Sequence, residues 1–458
     1  MIRFTVKDIA LSTGGELFSE NAEAVVGGFS VDSRTIKHGQ IFIAIEGNKF
    51  NGHDFIRDAA EKHASGLIVE HSRGSACRGL AEHVVCVENT RRAMGMIARE
   101  IRKRASIPVI CITGTNGKTT VKDILFHVLS ARHNVLRSEK SYNNIIGVSL
   151  TLFELDPSHD IAVLELGSNH PGEISKLAGI VAPQTAIITN IGDAHLEGFI
   201  DREGVFAEKI SLLDSLSAGG TVFLNKDDSM LARADTGGIA KKFYGTLPEC
   251  DFKITGLVEG RHGCNFYLNG KSFFLPMEGV HNVYNAAAAI AAASCFGMDY
   301  EEIRRSLKEV SLPKMRLEKL NIDGLLFIND AYNANPGSFE CALEVLQHSA
   351  SGGAKGVVAG DMMELGDKSD ELHRMVGRNI AGKDIDFLIT LGNRARHIAD
   401  GAIEAGMGKS RVLSAESHED AARMIRQVAQ PETVVLMKGS RAAKMEEVLK
   451  CFTMSCIL

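Results

Sequence analysis

Gly114, Thr115, Asn116, Gly117, Lys118, Thr119 and Thr120 run consecutively between the apolar VICIT and the helically spaced VKDILFHVLSA. A turn of this composition is built to hold phosphate. Its glycines let backbone N–H groups approach an anion, and the first turn of the following helix adds unpaired donors. Lys118 can reach terminal phosphates, and the Thr119 hydroxyl can ligate Mg²⁺. One position departs from the full Walker spacing: Ile112 stands where the first glycine would be. The alternative, a glycine-rich turn without a ligand, is disfavoured by the strand and helix patterns on either side.

Further polar residues fall just past apolar runs. Glu165 follows IAVL, Asn190 and His195 follow TAIIT, and Lys209 lies on the next helical segment. Taken singly, each has an ordinary reading as a cap, a structural imidazole or a solvated lysine. Beside a phosphate loop they form a set of oxygen donors and one imidazole that suits Mg²⁺ or Mn²⁺ next to ATP, with Thr119 adding an oxygen. The planar amide of Asn282 suits an adenine edge, although a helix start followed by a packing helix explains GVHNVYN equally well. Asp330 follows GLLFIN and can accept hydrogen bonds from ribose hydroxyls, or can open an Asx turn before Asn335-Pro336. Arg316 is a phosphate ligand or a surface arginine. In the first hundred residues, Asp32-Ser33-Arg34 and GNKFNGHDF form a polar ligand surface of open specificity.

These residues need a scaffold that brings strand ends together. The 458-residue length suggests about three domains. Residues 1–107 show short apolar runs (QIFIAIEG, SGLIVEH, HVVCVEN) and a helix, RRAMGMIAREIRKRA, before Pro108. Residues 108–312 alternate strands and helices, with a short antiparallel insert over 251–277 and the alanine-rich helix VHNVYNAAAAIAAASC. Residues 313–458 repeat the alternation with GLLFIND, KGVVAGD, DFLITLG and TVVLMKGS as strands. The fold class is therefore α/β, with mostly parallel sheets that place ligands beyond the C-terminal ends of their strands. A net charge of −6 argues against a nucleic-acid binder. Nine scattered cysteines without a CxxC pair indicate reduced thiols and a cytoplasmic setting. Membrane insertion is not expected, because no stretch of 18 apolar residues occurs.

In order along the chain, GTNGKTT, LELGSN, TNIGDAHLEGF, HNVYNAAAA and Arg316 resemble the Mur ligase family, the ATP-dependent amide ligases of bacterial peptidoglycan synthesis. The resemblance covers essentially the whole chain. It implies an N-terminal domain for the UDP end of the substrate, a central P-loop-type ATPase domain and a C-terminal Rossmann-like domain. DAYNANP (330–336), GDMMELG (360–366) and KGSR (438–441) are similar to the member that adds D-alanyl-D-alanine to UDP-N-acetylmuramoyl-tripeptide. By this resemblance Lys118, Lys209 and His195 would be catalytic. Gly114 to Thr120, Asn282, Arg316 and Asp330 would hold ATP. Thr119, Glu165, His195 and Lys209 would hold two Mg²⁺ ions, with Lys209 carboxylated on its amine. Ser33 and Arg34 would face the uridine diphosphate, and Asn143, Asn144, Asn333 and Asn335 the rest of the substrates. A monomer is expected.

Two departures from the family pattern stand out. The usual Ala-Lys-Gly-Glu-Ile around the modified lysine is Ala207-Glu208-Lys209-Ile210-Ser211 here. Ser149 replaces a proline, a change expected at a turn or helix start. The nearest rival is the related ligase adding diaminopimelate or lysine to the UDP-linked dipeptide, whose Asp-Asn-Pro-Arg signature is missing. A folylpolyglutamate synthetase is disfavoured by the long segment before the phosphate loop. A GTP-dependent switch would find its Asn-Lys-x-Asp in Asn225-Lys226-Asp227-Asp228.

Overall fold

The computed structural model describes residues 2–454 apart from 48, 312 and 351. The expected boundary at 312/313 therefore rests on one residue, Leu312, outside the described set. Three sheets form, one in each part of the chain.

The first sheet orders Glu16–Ser19, His83–Val87, Gly66–Glu70, Ile41–Ile43 and Phe29–Ser30 side by side. All neighbours are parallel except the edge strand Glu16–Ser19, which pairs antiparallel with His83–Val87. The central sheet has nine strands. One end of it runs Thr185–Ile188, Val109–Thr113, Ile161–Glu165 and, at the edge, Val135–Arg137, all parallel. Every residue of Val109–Thr113 and Ile161–Glu165 is buried, as continuous apolar runs in a doubly covered parallel sheet require. The antiparallel insert expected over 251–277 is present as Phe252–Gly260, Gly263–Leu268 and Lys271–Leu275. It is joined to the main sheet, because Phe252–Gly260 begins parallel to Ala240–Gly245. The third sheet has six strands, parallel except at the edge strand Glu318–Ile322.

The connection at 107/108 is not a break in the packing. Helix Thr90–Arg104 presents Met94, Ile97, Ala98 and Ile101 to the same core as Val148, Leu152, Ile174 and Ala178 of the central unit. Phe29 meets Phe153 across this junction with ring centroids 4.4 Å apart. Arg102 is buried there, and donates through Nε to the Val181 carbonyl (2.9 Å) and through Nη1 to that of Ala105 (2.6 Å). A charge so enclosed is tolerated because its guanidinium donors are used.

Helix Val280–Cys295 is buried along most of its length, including all of Ala286 to Ala293. Small side chains let it lie close to the helix Lys118–Leu129, with which it shares a core. Ser149 lies inside the helix Ile145–Phe153, not at a turn or helix start, and its buried hydroxyl has no hydrogen-bond partner among the described residues. Loss of a proline there therefore changes a helix interior.

Candidate active site

Val109–Thr113 lies between Ile161–Glu165 and Thr185–Ile188. The loops leaving these three strands open on a cleft of about 1320 Å³ that is also lined by the third unit. Two glycines make the phosphate loop possible. Gly114 has φ +137°, and a Cβ there would lie 2.0 Å from Thr189 Oγ1. Gly117 has φ +84°, and its Cβ would lie 2.2 Å from Asn285 Oδ1 of the alanine-rich helix. Only glycine accepts both the backbone angle and the close approach.

Lys118 opens the helix Lys118–Leu129 and folds back over the loop, with Nζ donating to the carbonyls of Gly114 (2.8 Å) and Thr115 (2.9 Å). Enclosure by protein pushes its amine pKa down, Glu165 opposes that shift, and Arg316 adds to it. Glu165 is buried with both oxygens engaged: Oε2 accepts from Thr119 Oγ1 (2.7 Å) and Oε1 from Asn143 Nδ2 (2.9 Å). Arg316 reaches across from the third unit, and its Nη2 donates to Thr119 Oγ1 at 2.8 Å. A hydroxyl, a carboxylate and two cations thus meet at the mouth of the phosphate loop.

His195 and Lys209 sit on the neighbouring loop and helix. His195 Nδ1 lies 2.5 Å from Glu364 Oε2 of the third unit. Lys209 is buried on the helix Arg202–Ile210, and its Nζ donates to Ser168 Oγ (2.7 Å). Burial, reinforced by Lys118, pulls the Lys209 amine down to about 7. Lys209 lies behind the wall of the cleft, and Ser168 is part of that wall. Glu208 explains the departure around it. Its carboxylate accepts from the backbone N–H groups of Gly172 and Ile174, both at 2.7 Å. It thereby caps the helix Glu173–Val181, whose own N-cap Gly172 has no side chain to do so.

The third unit faces the cleft with the C-terminal ends of two adjacent strands. Asp330 and Lys438 are register partners and form an ion pair, with the side chains 14% and 2% exposed. Lys438 also donates to the Asn333 carbonyl at 3.1 Å. Asn335 and Asn116 exchange two amide hydrogen bonds, of 2.8 and 3.3 Å, between the third unit and the phosphate loop. Replacing Lys438 by methionine would leave the Asp330 charge enclosed without its partner. That should lower unfolding stability by about 3–5 kcal/mol, measured as a shift of the denaturation midpoint.

The cleft therefore brings together Thr115 to Thr120, Asn143, Asn144, Glu165, His195, Asn282, Arg316, Asp330, Asn333 and Asn335. Asn282 does not cap its helix. Its amide donates to the Glu278 carbonyl (2.7 Å) and accepts from Asn285 (3.1 Å). Asn144 caps the helix Ile145–Phe153 through Gly147 N–H (3.0 Å). Ser33 and Arg34 do not line the cleft: Ser33 is buried in the first unit, and Arg34 is exposed and paired with Asp32 at 2.7 Å. Lys438, Ser168 and Glu364 were not singled out as individual site residues by the sequence. All three lay in noted segments, Ser168 in LELGSN, Glu364 in GDMMELG and Lys438 in KGSR, but none carried an individual signal. The Asn-Lys-x-Asp coincidence is also resolved. Asp228, the aspartate of that pattern, already accepts from Ile191 N–H (2.7 Å) and from Met230 and Leu231 N–H (both 3.0 Å), so its carboxylate is committed to structure.

The donors around the phosphate loop fit magnesium. Thr119 and Glu165 are hard oxygen donors, and among the described residues no three His, Cys, Asp or Glu side chains converge into a complete metal cage. Magnesium beside a nucleotide needs only one or two protein carboxylate or hydroxyl oxygens, the rest coming from phosphate and water.

A phosphate loop at the centre of a parallel sheet, faced by a second α/β unit, defines a nucleoside-triphosphate-using enzyme. The Mur ligase family catalytic domain matches residues 25–102, the Mur ligase middle domain 112–293, and the Mur ligase glutamate ligase domain 315–441. The chain is 34% identical over 454 residues to the UDP-N-acetylmuramoyl-tripeptide–D-alanyl-D-alanine ligase of Bacillus subtilis (strain 168), covering 98% of each chain. A crystal structure of MurF from Acinetobacter baumannii matches with a TM-score of 0.90 and 30% identity, covering 99% of each chain. MurF from Thermotoga maritima in complex with ADP matches with a TM-score of 0.82 and 26% identity, over 93% of this chain and 97% of that one. The chain belongs to the Mur ligase family.

Proposed function

We propose that this chain is the ATP-dependent, ADP-forming ligase that joins D-alanyl-D-alanine to UDP-N-acetylmuramoyl-tripeptide in peptidoglycan precursor synthesis. One observation carries the reading: a single cleft is lined by all three units. The central unit supplies the phosphate loop and Glu165, the third supplies Arg316 and Asp330, and the first supplies Arg91. At about 1320 Å³ the cleft exceeds the usual volume of a site for one small molecule, roughly 300–1,000 Å³, and has room for a nucleotide and a second substrate. Similarity to the UDP-N-acetylmuramoyl-tripeptide–D-alanyl-D-alanine ligase of Bacillus subtilis favours D-alanyl-D-alanine over diaminopimelate or lysine as the incoming amine.

The reaction is a two-step acyl transfer. The terminal carboxylate of the tripeptide attacks the γ-phosphorus of ATP, the bond to the bridging oxygen breaks, and ADP leaves. The D-alanyl-D-alanine amine then attacks the acyl carbon, loses a proton, and expels inorganic phosphate from the tetrahedral intermediate. Lys118 and Arg316 supply positive charge where the terminal phosphate develops negative charge. Asp330 accepts the ribose hydroxyls. Asn282 reads adenine after giving up its contact with Asn285. Closure of the third unit over the cleft excludes water from the labile acyl phosphate.

Magnesium, held by Thr119 and Glu165, would neutralise phosphate charge, with His195 and a carboxylated Lys209 as ligands of a second ion. Residues 1–107 would hold the UDP end through Ser33 and Arg34, 108–312 the ATP, and 313–458 would close over it. Asn143, Asn144, Asn333 and Asn335 would contact the sugar-peptide and dipeptide substrates.

The test is phosphate release from ATP with UDP-linked tripeptide. Release should require D-alanyl-D-alanine and should not occur when diaminopimelate replaces it. Turnover with UDP-linked dipeptide and diaminopimelate would overturn the assignment, and a strong preference for GTP would point to a switch protein.

A further inference from the structure

Arg316 is carried on a turn whose backbone is strained on both sides of it. Met315 and Leu317 adopt left-handed conformations, with φ +59° and +55°. Neither has the freedom of glycine, and such a cost persists only where surrounding contacts fix it. Here the clamps are visible. Met315 N–H donates to Glu318 Oε2 (3.1 Å), which also accepts from Asn329 Nδ2 (3.1 Å). Leu317 N–H donates to Asp330 Oδ1 (3.2 Å), and the Met315 carbonyl accepts from Tyr332 N–H (3.1 Å). The turn is thus tied to the strand Leu325–Asp330 and to Tyr332 just beyond its end.

Tyr332 also meets the Arg316 side chain. The guanidinium carbon lies over the Tyr332 ring, 4.2 Å from its centroid. That is inside the roughly 6 Å over which a ring face attracts a cation. From this face Nη2 reaches Thr119 Oγ1 (2.8 Å). The far end of the ring is fixed in turn, because its hydroxyl donates to Ser141 Oγ of the central unit. The segment bearing Ser141 is itself seated by the buried Lys122, whose amine donates to the carbonyls of Ser138 (2.9 Å) and Lys140 (2.6 Å). From this geometry we infer that Tyr332 is a positioning residue, whose ring face aims the Arg316 guanidinium at the terminal-phosphate end of the nucleotide site. A guanidinium resting on a ring gives up rotational freedom before phosphate arrives, so less is lost on binding. The hydroxyl contact makes this arrangement depend on the third unit being docked. The inference rests on the proposed ligase reading in taking Arg316 as a phosphate ligand.

The test measures binding of a non-hydrolysable ATP analogue with Mg²⁺ by calorimetry, on the full chain and without the other substrates. Tyr332→Leu should bind about 3–30-fold more weakly, the range of a cation–ring contact. In an Arg316→Ala background the same change should cost less than about twofold, because the group it acts through is gone. Tyr332→Phe, which keeps the ring, should recover most of what Tyr332→Leu loses. Equal losses from Tyr332→Leu in both backgrounds overturn the inference, and so does Tyr332→Phe binding as weakly as Tyr332→Leu. If Tyr332→Leu does not fold, phenylalanine and pentafluorophenylalanine at position 332 decide, since fluorination nearly keeps the shape and removes the negative ring face. Weaker binding with the fluorinated ring that vanishes in Arg316→Ala supports the inference, and equal binding overturns it. A parent protein that binds no analogue overturns the ligase reading and this inference together. Additive losses, in a parent that binds the analogue and releases phosphate from ATP with both substrates, overturn this inference alone.

Discussion

Replacing Lys118 by alanine should reduce substrate-dependent ADP release by at least about 10²–10³-fold, the cost typical of removing one preorganised charge stabiliser from a reacting centre. Lys118 sits at the first turn of its helix, where backbone donors already point at the cleft. Its amine is enclosed, which makes its charge count for more than it would in water. The effect should fall mainly on kcat, because charge accumulates on the departing phosphate in the transition state. Apparent ATP affinity should weaken less, since the loop N–H groups remain. Coupled ADP-release kinetics at saturating tripeptide and D-alanyl-D-alanine separate the two effects. Near-normal turnover would sink the ligase assignment. Loss of ATP binding with unchanged kcat would show that Lys118 only holds ground-state nucleotide. The bonds from Lys118 to the Gly114 and Thr115 carbonyls imply that the side chain exchanges partners when phosphate arrives.

Much of this site was legible because its signals are local. Gly114 to Thr120 is contiguous, and both the apolar run before it and the periodic helix after it were visible. Glu165, His195 and Asp330 each end or follow a largely buried strand, and the strand ends of two facing sheets bring them to one cleft. The three-domain α/β architecture followed from the same alternation of strands and helices. What sequence could not convey is pairing across distance. Asp330 and Lys438 are 108 residues apart, and only the register of Leu325–Asp330 against Val434–Lys438 makes them neighbours. Glu364 lies beside His195, 169 positions away, only through the packing of the third unit against the central one.

Other features were missed because their patterns are weak. Ala240–Gly245 begins with two exposed residues and two half-buried ones, so AKKFYG lacks the apolar run that marked its neighbours. Without it the antiparallel segment seemed a separate insert. The shared core under Thr90–Arg104 was hidden for a related reason. One amphipathic helix stripe reads the same whether it packs on one unit or bridges two.

Lys209 is the residue whose chemistry depends most on its enclosure. Its amine sits at about 7 against an ordinary 10.5, chiefly because burial disfavours the charge. Between those values the unfolded chain holds a proton that the folded chain lacks. The penalty is therefore fully present below 7, and stability should rise as pH climbs from about 7 toward 10.5. A denaturation series over that window should be flatter in Lys209→Ala. A neutral amine near physiological pH is also the form that can attack CO₂, joining nitrogen to carbon and releasing one proton. The product is an anionic oxygen donor where a cation would repel metal. Protein equilibrated with ¹³C-bicarbonate should show one slowly exchanging carbamate carbon that is lost in Lys209→Ala. Activity in that variant should fall by at least about 100-fold, as expected for loss of a metal-site group. A short carboxylic acid should restore part of it by filling the vacated space with the missing oxygens. An unmodified amine beside bound metal at ample bicarbonate would refute the carbamate. In that case Ser168, which accepts from the Lys209 amine at 2.7 Å, would mark the lysine as a packing and hydrogen-bonding group behind the cleft wall.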